Sequence, residues 1–197
     1  LSCLTAHVVR AYQLAAMIKA EFPDSIIVAG GLHPTACPDE ALQTGNIDYV
    51  VRGEGEEVML QLHSALRGGA DPTKLKGVSF KRAGRIVHNP EAPLIPDLDD
   101  IPMFPYELFD NPKYDMAFIT SSRGCPYKCT YCSQRMLTGT TYRYKSAGRI
   151  VQELDVLVNR YGQKQIVFYD DNFCFKAKRV SELCSAIIDA GLHKKCT

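Results

Sequence analysis

Three cysteines lie close together in the segment SSRGCPYKCTYCSQR: Cys125, Cys129 and Cys132. Their C-x3-C-x2-C spacing allows three thiolates on one tight loop to converge on a single metal centre. A structural zinc ion normally takes four protein ligands, and the closest histidines in sequence are His88 and His193. An iron–sulfur cubane held by three cysteines instead leaves one iron open to a substrate or cofactor. The spacing favours such a cluster over a zinc site or three unrelated thiols.

Regular elements are predicted on both sides of the cysteine loop. A strand is predicted before it at residues 116–120, and an amphipathic helix after it at 147–161. A second strand at 165–169 and a second helix at 176–190 follow. Two strand–helix units cannot form a closed sheet, so we expect them to be part of a larger α/β domain.

The cysteine motif, with Tyr131 directly before its last cysteine, is similar to the signature of the radical S-adenosylmethionine (SAM) enzymes. In that family three cysteines hold a [4Fe-4S] cluster, its fourth iron chelates SAM, and reductive cleavage of SAM yields a 5′-deoxyadenosyl radical. The resemblance implies that Cys125, Cys129 and Cys132 are the cluster ligands and that Tyr131 lies beside the adenine. It also implies that residues 114–197 form the first β/α units of a partial TIM barrel.

Three polar residues end the second predicted strand: Asp170, Asp171 and Asn172. In radical SAM enzymes the end of this strand contacts the methionyl amino group, and many members carry Gly-Gly-Glu there. The resemblance therefore implies a SAM contact from this Asp-Asp-Asn sequence. A solvated turn with an N-cap for the next helix is the alternative interpretation.

Strands and helices also alternate in the first part of the chain. The predicted strands are residues 1–5, 25–29 and 47–51, and the predicted helices are residues 8–22, 38–43 and 54–67. This order predicts a parallel sheet with helices on its faces. Residues 78–80 and 85–88 flank Ala83-Gly84 in the manner of a β-hairpin.

Two short motifs lie at the ends of predicted strands, a Ser-x-Leu at residues 2–4 and a Gly-Gly pair 28 positions after the serine. Together they resemble the cobalamin-binding Rossmann-like domain, in which both motifs surround the nucleotide tail of the cofactor. The resemblance implies cobalamin contacts from these motifs and from the histidine that follows them: Ser2, Leu4, Gly30, Gly31 and His33. The residues would form the C-terminal part of that domain.

The third motif of the cobalamin-binding family, Asp-x-His-x-x-G, is not in this sequence and would lie upstream of Leu1. Its histidine can ligate cobalt. We do not expect His33 to replace it, because a loop histidine more often forms hydrogen bonds or is exposed. The acidic run at residues 52–57 is predicted to be a structural turn that begins a helix.

Six prolines interleaved with apolar residues occupy residues 89–113. They exclude a regular helix or a central strand, and the segment is too apolar for a free linker. We expect an extended strap between two domains, a cobalamin-binding domain at 1–88 and a radical SAM domain at 114–197. Both domains are expected to be parts of larger ones.

The 197-residue composition is that of an ordinary globular protein, with net charge +1, 46% hydrophobic and 23% charged residues. These values exclude a collagen, a disordered tail and a strongly basic nucleic-acid binder. No apolar run reaches membrane-spanning length.

Free thiolates favour a reducing compartment, so the cytoplasm is predicted. The remaining, scattered cysteines are expected to be small buried residues: Cys3, Cys37, Cys174, Cys184 and Cys196.

The resemblances predict a radical SAM enzyme that uses a [4Fe-4S] cluster, SAM and cobalamin. The expected reaction is methyl transfer to an unactivated carbon or an oxidative rearrangement, such as anaerobic Mg-protoporphyrin cyclisation. A small-molecule substrate and an electron donor such as flavodoxin or ferredoxin would be the partners. Two alternatives are a methylthiotransferase-like enzyme without cobalamin and a non-catalytic metal-binding module. The first usually has three further cluster cysteines in its first domain, where only Cys3 and Cys37 occur here.

Overall fold

The computed structural model describes residues 1–68, 70–109 and 116–197. It divides into two compact units. The first unit comprises Leu1–Ile95 and Lys128–Gly139, and the second comprises Pro96–Tyr127 and Thr140–Thr197. The end of the predicted strap and the first residues of the predicted radical SAM domain, 110–115, lie outside the described residues. The domain boundaries inferred from sequence stay predictions.

The first unit contains a four-stranded sheet in the order β1-β2-β3-β4. Its strands are β1 (Val28–Ala29), β2 (Tyr49–Val51), β3 (Val78–Arg82) and β4 (Arg85–His88). β1 and β2 are parallel, but β3 is antiparallel to both of its neighbours. The parallel pairing predicted for residues 25–29 and 47–51 is confirmed, whereas the predicted strand at residues 1–5 is reduced to a single parallel bridge between Ser2 and Gly30. The predicted hairpin is confirmed, and its turn residues Ala83 and Gly84 have φ of 48° and 79°, as a tight hairpin turn requires.

The helices of the first unit are α1 (Val8–Glu21), α2 (Leu32–Ala36), α3 (Pro38–Gln43), α4 (Glu56–Leu66) and α5 (Arg135–Thr138). They enclose two apolar clusters. One joins α1 and α3 to β1 and β2 through Ala15, Ile27, Ala29, Ala41, Leu42, Ile47 and Val50. The other joins α4 to β2 and β3 through Val51, Val58, Leu62, Val78 and Phe80. The predicted helices are confirmed, and Ala15 makes the core contact of α1.

The second unit has two short strand pairs. β5 (Phe118–Ile119) is parallel to β8 (Val167–Phe168), and β6 (Ser122–Arg123) is antiparallel to β7 (Arg143–Tyr144). The helices are α6 (Ala147–Asp155), which a π-helical turn at Val156–Arg160 continues, and α7 (Ala177–Asp189). Their core consists of Ile119, Ile150, Leu154, Val158, Leu183 and Leu192. The predicted strand–helix–strand–helix order is confirmed.

The described part of the predicted strap has no α-helix or strand and contains two 3-10 turns, Leu98–Asp100 and Tyr106–Leu108. From Pro96 onward it belongs to the second unit. The Asp99 carboxylate accepts a hydrogen bond from the Ser146 amide at 2.9 Å, and Arg149 donates to the Ile101 carbonyl at 2.8 Å. These bonds attach the segment to the start of α6. Among the described residues, no helix is both long and apolar enough to span a membrane.

Candidate functional site

The parallel pair β5 and β8 brings two polar segments to one edge of the second unit. Ser121 and Ser122 follow β5, and Asp170 and Asp171 follow β8. Because parallel strands end at the same edge of a sheet, the start of the cysteine loop meets the Asp-Asp-Asn sequence. The carboxyl edge of a parallel sheet is where α/β proteins bind ligands.

The Asp170 carboxylate holds the backbone at the start of this loop. Its side chain is 0% exposed. One oxygen accepts hydrogen bonds from the Ser121 amide at 2.6 Å and the Ser122 amide at 3.0 Å, and the other accepts from the Ser121 hydroxyl. Hydrogen bonds to a charged group contribute about 1.5–3 kcal/mol each. Both carboxylate oxygens are therefore used within the protein.

Arg179 of α7 completes this buried network. Its side chain is 4% exposed, and its guanidinium lies 3.8 Å from Asp170. It donates to the Ser121 hydroxyl, to the Ser121 carbonyl at 3.1 Å and to the Phe173 carbonyl at 3.2 Å. A buried carboxylate requires such a partner, because an unpaired charge in a protein interior is strongly unfavourable.

The next two residues contact the cysteine motif itself. The Asp171 carboxylate accepts a hydrogen bond from the Gly124 amide at 3.2 Å. The Asn172 side-chain amide donates to the Cys125 sulfur at 3.9 Å. A side-chain amide in this position would also be able to donate to a cluster-bound sulfur. The structure thus brings the Asp-Asp-Asn sequence and the first motif cysteine together, whereas a SAM contact from these residues stays a prediction.

The motif cysteines are accessible. Cys125 is half-buried, and Cys129 and Cys132 are exposed. The Cys132 amide donates to the Cys129 carbonyl at 3.2 Å, so these two cysteines share a turn. Tyr131 within that turn is 90% exposed. Exposed thiols on a turn have no packing role in the chain, and the donor set of three thiolates suits an iron–sulfur cluster.

The packing explanation for the other cysteines is partly wrong. Cys3 is buried, and burial raises the pKa of its thiol, which keeps it an inert thiol. Cys37, Cys174 and Cys184 are exposed instead. For Cys184 the reason is its place on α7, whose core contact is made by the preceding Leu183.

In the first unit the two sequence motifs meet as expected. Ser2 forms a parallel bridge with Gly30, and the Cys3 amide donates to the Gly30 carbonyl at 3.1 Å. Gly31 has φ +90°, and a Cβ there would lie 2.8 Å from the Ser2 hydroxyl oxygen and 3.1 Å from the Cys3 carbonyl oxygen. Only glycine fits this crowded backbone position. Leu4, the last residue of the Ser-x-Leu motif, is exposed.

His33, two residues after the glycine pair, is buried. Its Nδ1 lies 3.1 Å from the Thr5 hydroxyl oxygen, and its Nε2 lies 3.3 Å from a carboxylate oxygen of Glu40. Both ring nitrogens thus face protein groups. A contact between His33 and cobalamin stays a prediction.

The acidic run at residues 52–57 forms a turn before α4, as predicted, and its side chains are used in structural contacts. The Glu54 side chain is buried, and it accepts a hydrogen bond from the Ile95 amide at 2.7 Å. The Gly53 amide donates to the Thr35 hydroxyl at 3.1 Å. These bonds connect the turn to α2 and to the segment after β4.

Sequence reasoning missed Arg179 and Ser121. A signal for Arg179 was present, because it lies four positions before Leu183 and therefore on the apolar side of α7. A cation on that side of a helix needs a buried anion as its partner. The two serines that follow β5 gave no comparable signal, since serine is common in loops.

Comparisons with known proteins identify both halves of the chain. Residues 1–63 match the B12 binding domain model, and residues 119–195 match the model of the Radical SAM superfamily. The chain therefore carries a region of the B12-binding family followed by a region of the Radical SAM superfamily. The recognition and the fold class inferred from sequence are confirmed.

Two curated relatives show how far the similarity extends. The chain is 34% identical over 198 residues to an uncharacterized methyltransferase of Pyrococcus horikoshii, covering 98% of this chain and 43% of the relative. It is 33% identical over 183 residues to the anaerobic magnesium-protoporphyrin IX monomethyl ester cyclase of Synechocystis, covering 89% of this chain and 36% of the relative. The chain thus spans less than half the length of these relatives.

Two solved structures share the fold. The cobalamin-dependent SAM radical enzyme OxsB, with aqua-cobalamin and SAM bound, superimposes with a TM-score of 0.82 at 20% identity, covering 95% of this chain and 28% of OxsB. The radical SAM methyltransferase TsrM from Kitasatospora setae, with cobalamin and a [4Fe-4S] cluster bound, gives 0.76 at 20% identity, covering 93% of this chain and 37% of TsrM. At this identity the likeness shows the fold alone.

Proposed function

We propose that this chain is part of a cobalamin-dependent radical SAM enzyme in which Cys125, Cys129 and Cys132 hold a [4Fe-4S] cluster. The observation that carries the proposal is the C-x3-C-x2-C motif, in which Cys129 and Cys132 are exposed and half-buried Cys125 accepts a hydrogen bond from the Asn172 side-chain amide after β8. When bound, the cluster and SAM supply a radical by reductive cleavage, and cobalamin supplies methyl-group chemistry. The proposed domains are residues 1–88 and 114–197, with residues 89–113 as the strap.

The residues of the second unit prepare the loop for this cluster. Asp170 and Arg179 fix the backbone of Ser121 and Ser122, so the motif begins from a rigid position. Precise positioning of this kind is what a protein contributes to a cofactor-driven reaction. SAM would contact Tyr131 through its adenine and Asp171 or Asn172 through its methionyl amino group. Asp170 is the weakest of the predicted SAM contacts because its oxygens already have partners.

Cobalamin is assigned to the edge where Ser2 bridges Gly30. The proposed contacts are Ser2, Leu4, Gly30, Gly31 and His33. The match of residues 1–63 to the B12 binding domain supports this assignment. The close packing of Ser2 and Cys3 against Gly31 gives this edge a fixed backbone. The thiols of the site require a reducing compartment, and the cytoplasm is the proposed location.

Methyl transfer to a small-molecule substrate is the first proposed reaction, with flavodoxin or ferredoxin as the electron donor. Relatives named as methyltransferases support it. The similarity to the anaerobic cyclase favours an oxidative rearrangement as the second candidate. SAM labelled in its methyl group separates the two, because only methyl transfer moves the label into the substrate.

Anaerobic reconstitution with iron and sulfide tests the site. We expect about four irons per chain, as a cubane requires, and an optical spectrum that changes when SAM is added. The triple variant Cys125→Ser, Cys129→Ser, Cys132→Ser should lose the iron. Cys184→Ser, which removes an exposed thiol on α7, should keep it. One zinc per chain with no response to SAM would contradict the proposal and support a non-catalytic metal-binding module.

A further inference from the structure

Three potential metal ligands converge around α2 and α3 in the first unit. His33 lies on α2, Cys37 connects the two helices, and Glu40 lies on α3. One donor atom from each lies within 4.8 Å of the other two. His33 is buried, whereas Cys37 and Glu40 are exposed. The cluster therefore has a fixed inner ligand and an open path for an ion from solvent.

The separation of two donor atoms is compatible with a shared metal ion. His33 Nε2 and Glu40 Oε1 are 3.3 Å apart, which makes them a long hydrogen bond in the ion-free chain. Two nitrogen and oxygen ligands of a tetrahedral zinc ion, each about 2.0–2.2 Å from the metal, lie about 3.3–3.5 Å apart. A zinc ion that binds both atoms would therefore need little movement of either side chain.

The other side of the histidine ring is already oriented. Its Nδ1 lies 3.1 Å from the Thr5 hydroxyl oxygen, which leaves Nε2 directed at Glu40. Metal-binding histidines characteristically have their second ring nitrogen held by an oxygen of the protein. This contact is independent of the convergence of the three donors and points in the same direction.

A bound divalent cation would neutralise the two negative charges of its ligands, a thiolate at Cys37 and a carboxylate at Glu40, because metal ligands bind in their deprotonated form.

We propose that His33 Nε2, Cys37 Sγ and Glu40 Oε1 bind one divalent cation of the zinc class, with water as the remaining ligand. Nitrogen, sulfur and oxygen donors together suit zinc, whereas magnesium and calcium require oxygen ligands. The ion would connect the segment after Gly30 and Gly31 to α3 and would hold His33 Nε2. This site is separate from the proposed cluster, and it uses the Nε2 atom of His33, a residue that is also a proposed cobalamin contact.

The test is a zinc titration of the full chain under anaerobic conditions by calorimetry, with cobalt(II) as a spectroscopic substitute. It is performed on the iron-reconstituted chain and on the triple variant Cys125→Ser, Cys129→Ser, Cys132→Ser, so that motif thiolates do not contribute. We expect one equivalent to bind in both and a thiolate-to-cobalt charge-transfer band to appear.

Cys37→Ser should abolish the band and weaken zinc binding at least tenfold, and Glu40→Gln should weaken binding while keeping the band. Both residues are exposed, so the variants are expected to fold, which circular dichroism checks. Cys184→Ser is the matched control and should bind zinc unchanged. Equal affinity and an equal band in Cys37→Ser and Cys184→Ser would overturn the proposal, as would the absence of stoichiometric binding. Neither result changes the iron content on which the proposed function depends.

Discussion

The two loops assigned to cofactors are held in different ways. In the second unit, the start of the cysteine loop is fixed by side chains, the buried carboxylate of Asp170 and the guanidinium of Arg179. In the first unit, the Gly30-Gly31 loop is fixed by backbone pairing with residues 1–3 and by close packing that excludes a Cβ. The comparison teaches that a loop whose own side chains must bind metal is anchored from neighbouring elements. A loop that offers its backbone to a ligand can be anchored by backbone alone.

The largest effect on stability is expected from removing the carboxylate of Asp170, which holds the start of the cysteine loop. Asp170→Ala leaves Arg179 buried without its partner, and breaking a buried ion pair costs about 3–5 kcal/mol. Chemical denaturation should show this decrease in unfolding free energy, and reconstitution should show reduced iron content. Asp189→Asn removes an exposed carboxylate from the same helix as Arg179 and should change neither. Equal stability of the two variants would mean that Asp170 does not anchor the loop.

An intermediate effect is expected from adding a methyl group to the first loop. Gly31→Ala places a Cβ against Ser2 and Cys3 in a backbone region that is almost restricted to glycine. Gly45→Ala is the control, because Gly45 has φ +75° and nothing within 4 Å of its ideal Cβ. The control should lose about 1–2 kcal/mol from conformation alone, and Gly31→Ala about 1–3 kcal/mol more from overpacking. Equal losses in thermal or chemical unfolding would show that the loop relaxes and is not fixed by close packing.

The smallest expected effect on stability comes from Asn172→Ala. The variant loses one weak donor to the Cys125 sulfur, so unfolding free energy should change by about 0.5–1 kcal/mol. The electronic effect should be clearer, because hydrogen bonds to cluster sulfurs tune the reduction potential. The expected result is a lower potential at unchanged iron content, measured by redox titration. An unchanged potential would show that the amide does not contact a cluster-bound sulfur.

Sequence alone predicted the cysteine motif, the hairpin and most helices because their signals are local. The Ala83-Gly84 turn needs two positive φ values, and the C-x3-C-x2-C spacing needs only neighbouring residues. The Asp170–Arg179–Ser121 network was not predicted, because Ser121 is separated from its partners by 49 and 58 positions. The antiparallel pairing of β3 with β2 was missed because the residues between them do not specify strand direction.

The central claim is that the three motif cysteines hold a cluster with one iron open to SAM. Electron paramagnetic resonance of the reduced, reconstituted chain tests it most directly, with and without SAM. A signal of a [4Fe-4S]⁺ cluster whose spectrum shifts on adding SAM, and which is absent from the triple serine variant, is the predicted result. A spectrum that SAM does not change, or the same signal in the triple serine variant, would contradict the assignment of Cys125, Cys129 and Cys132.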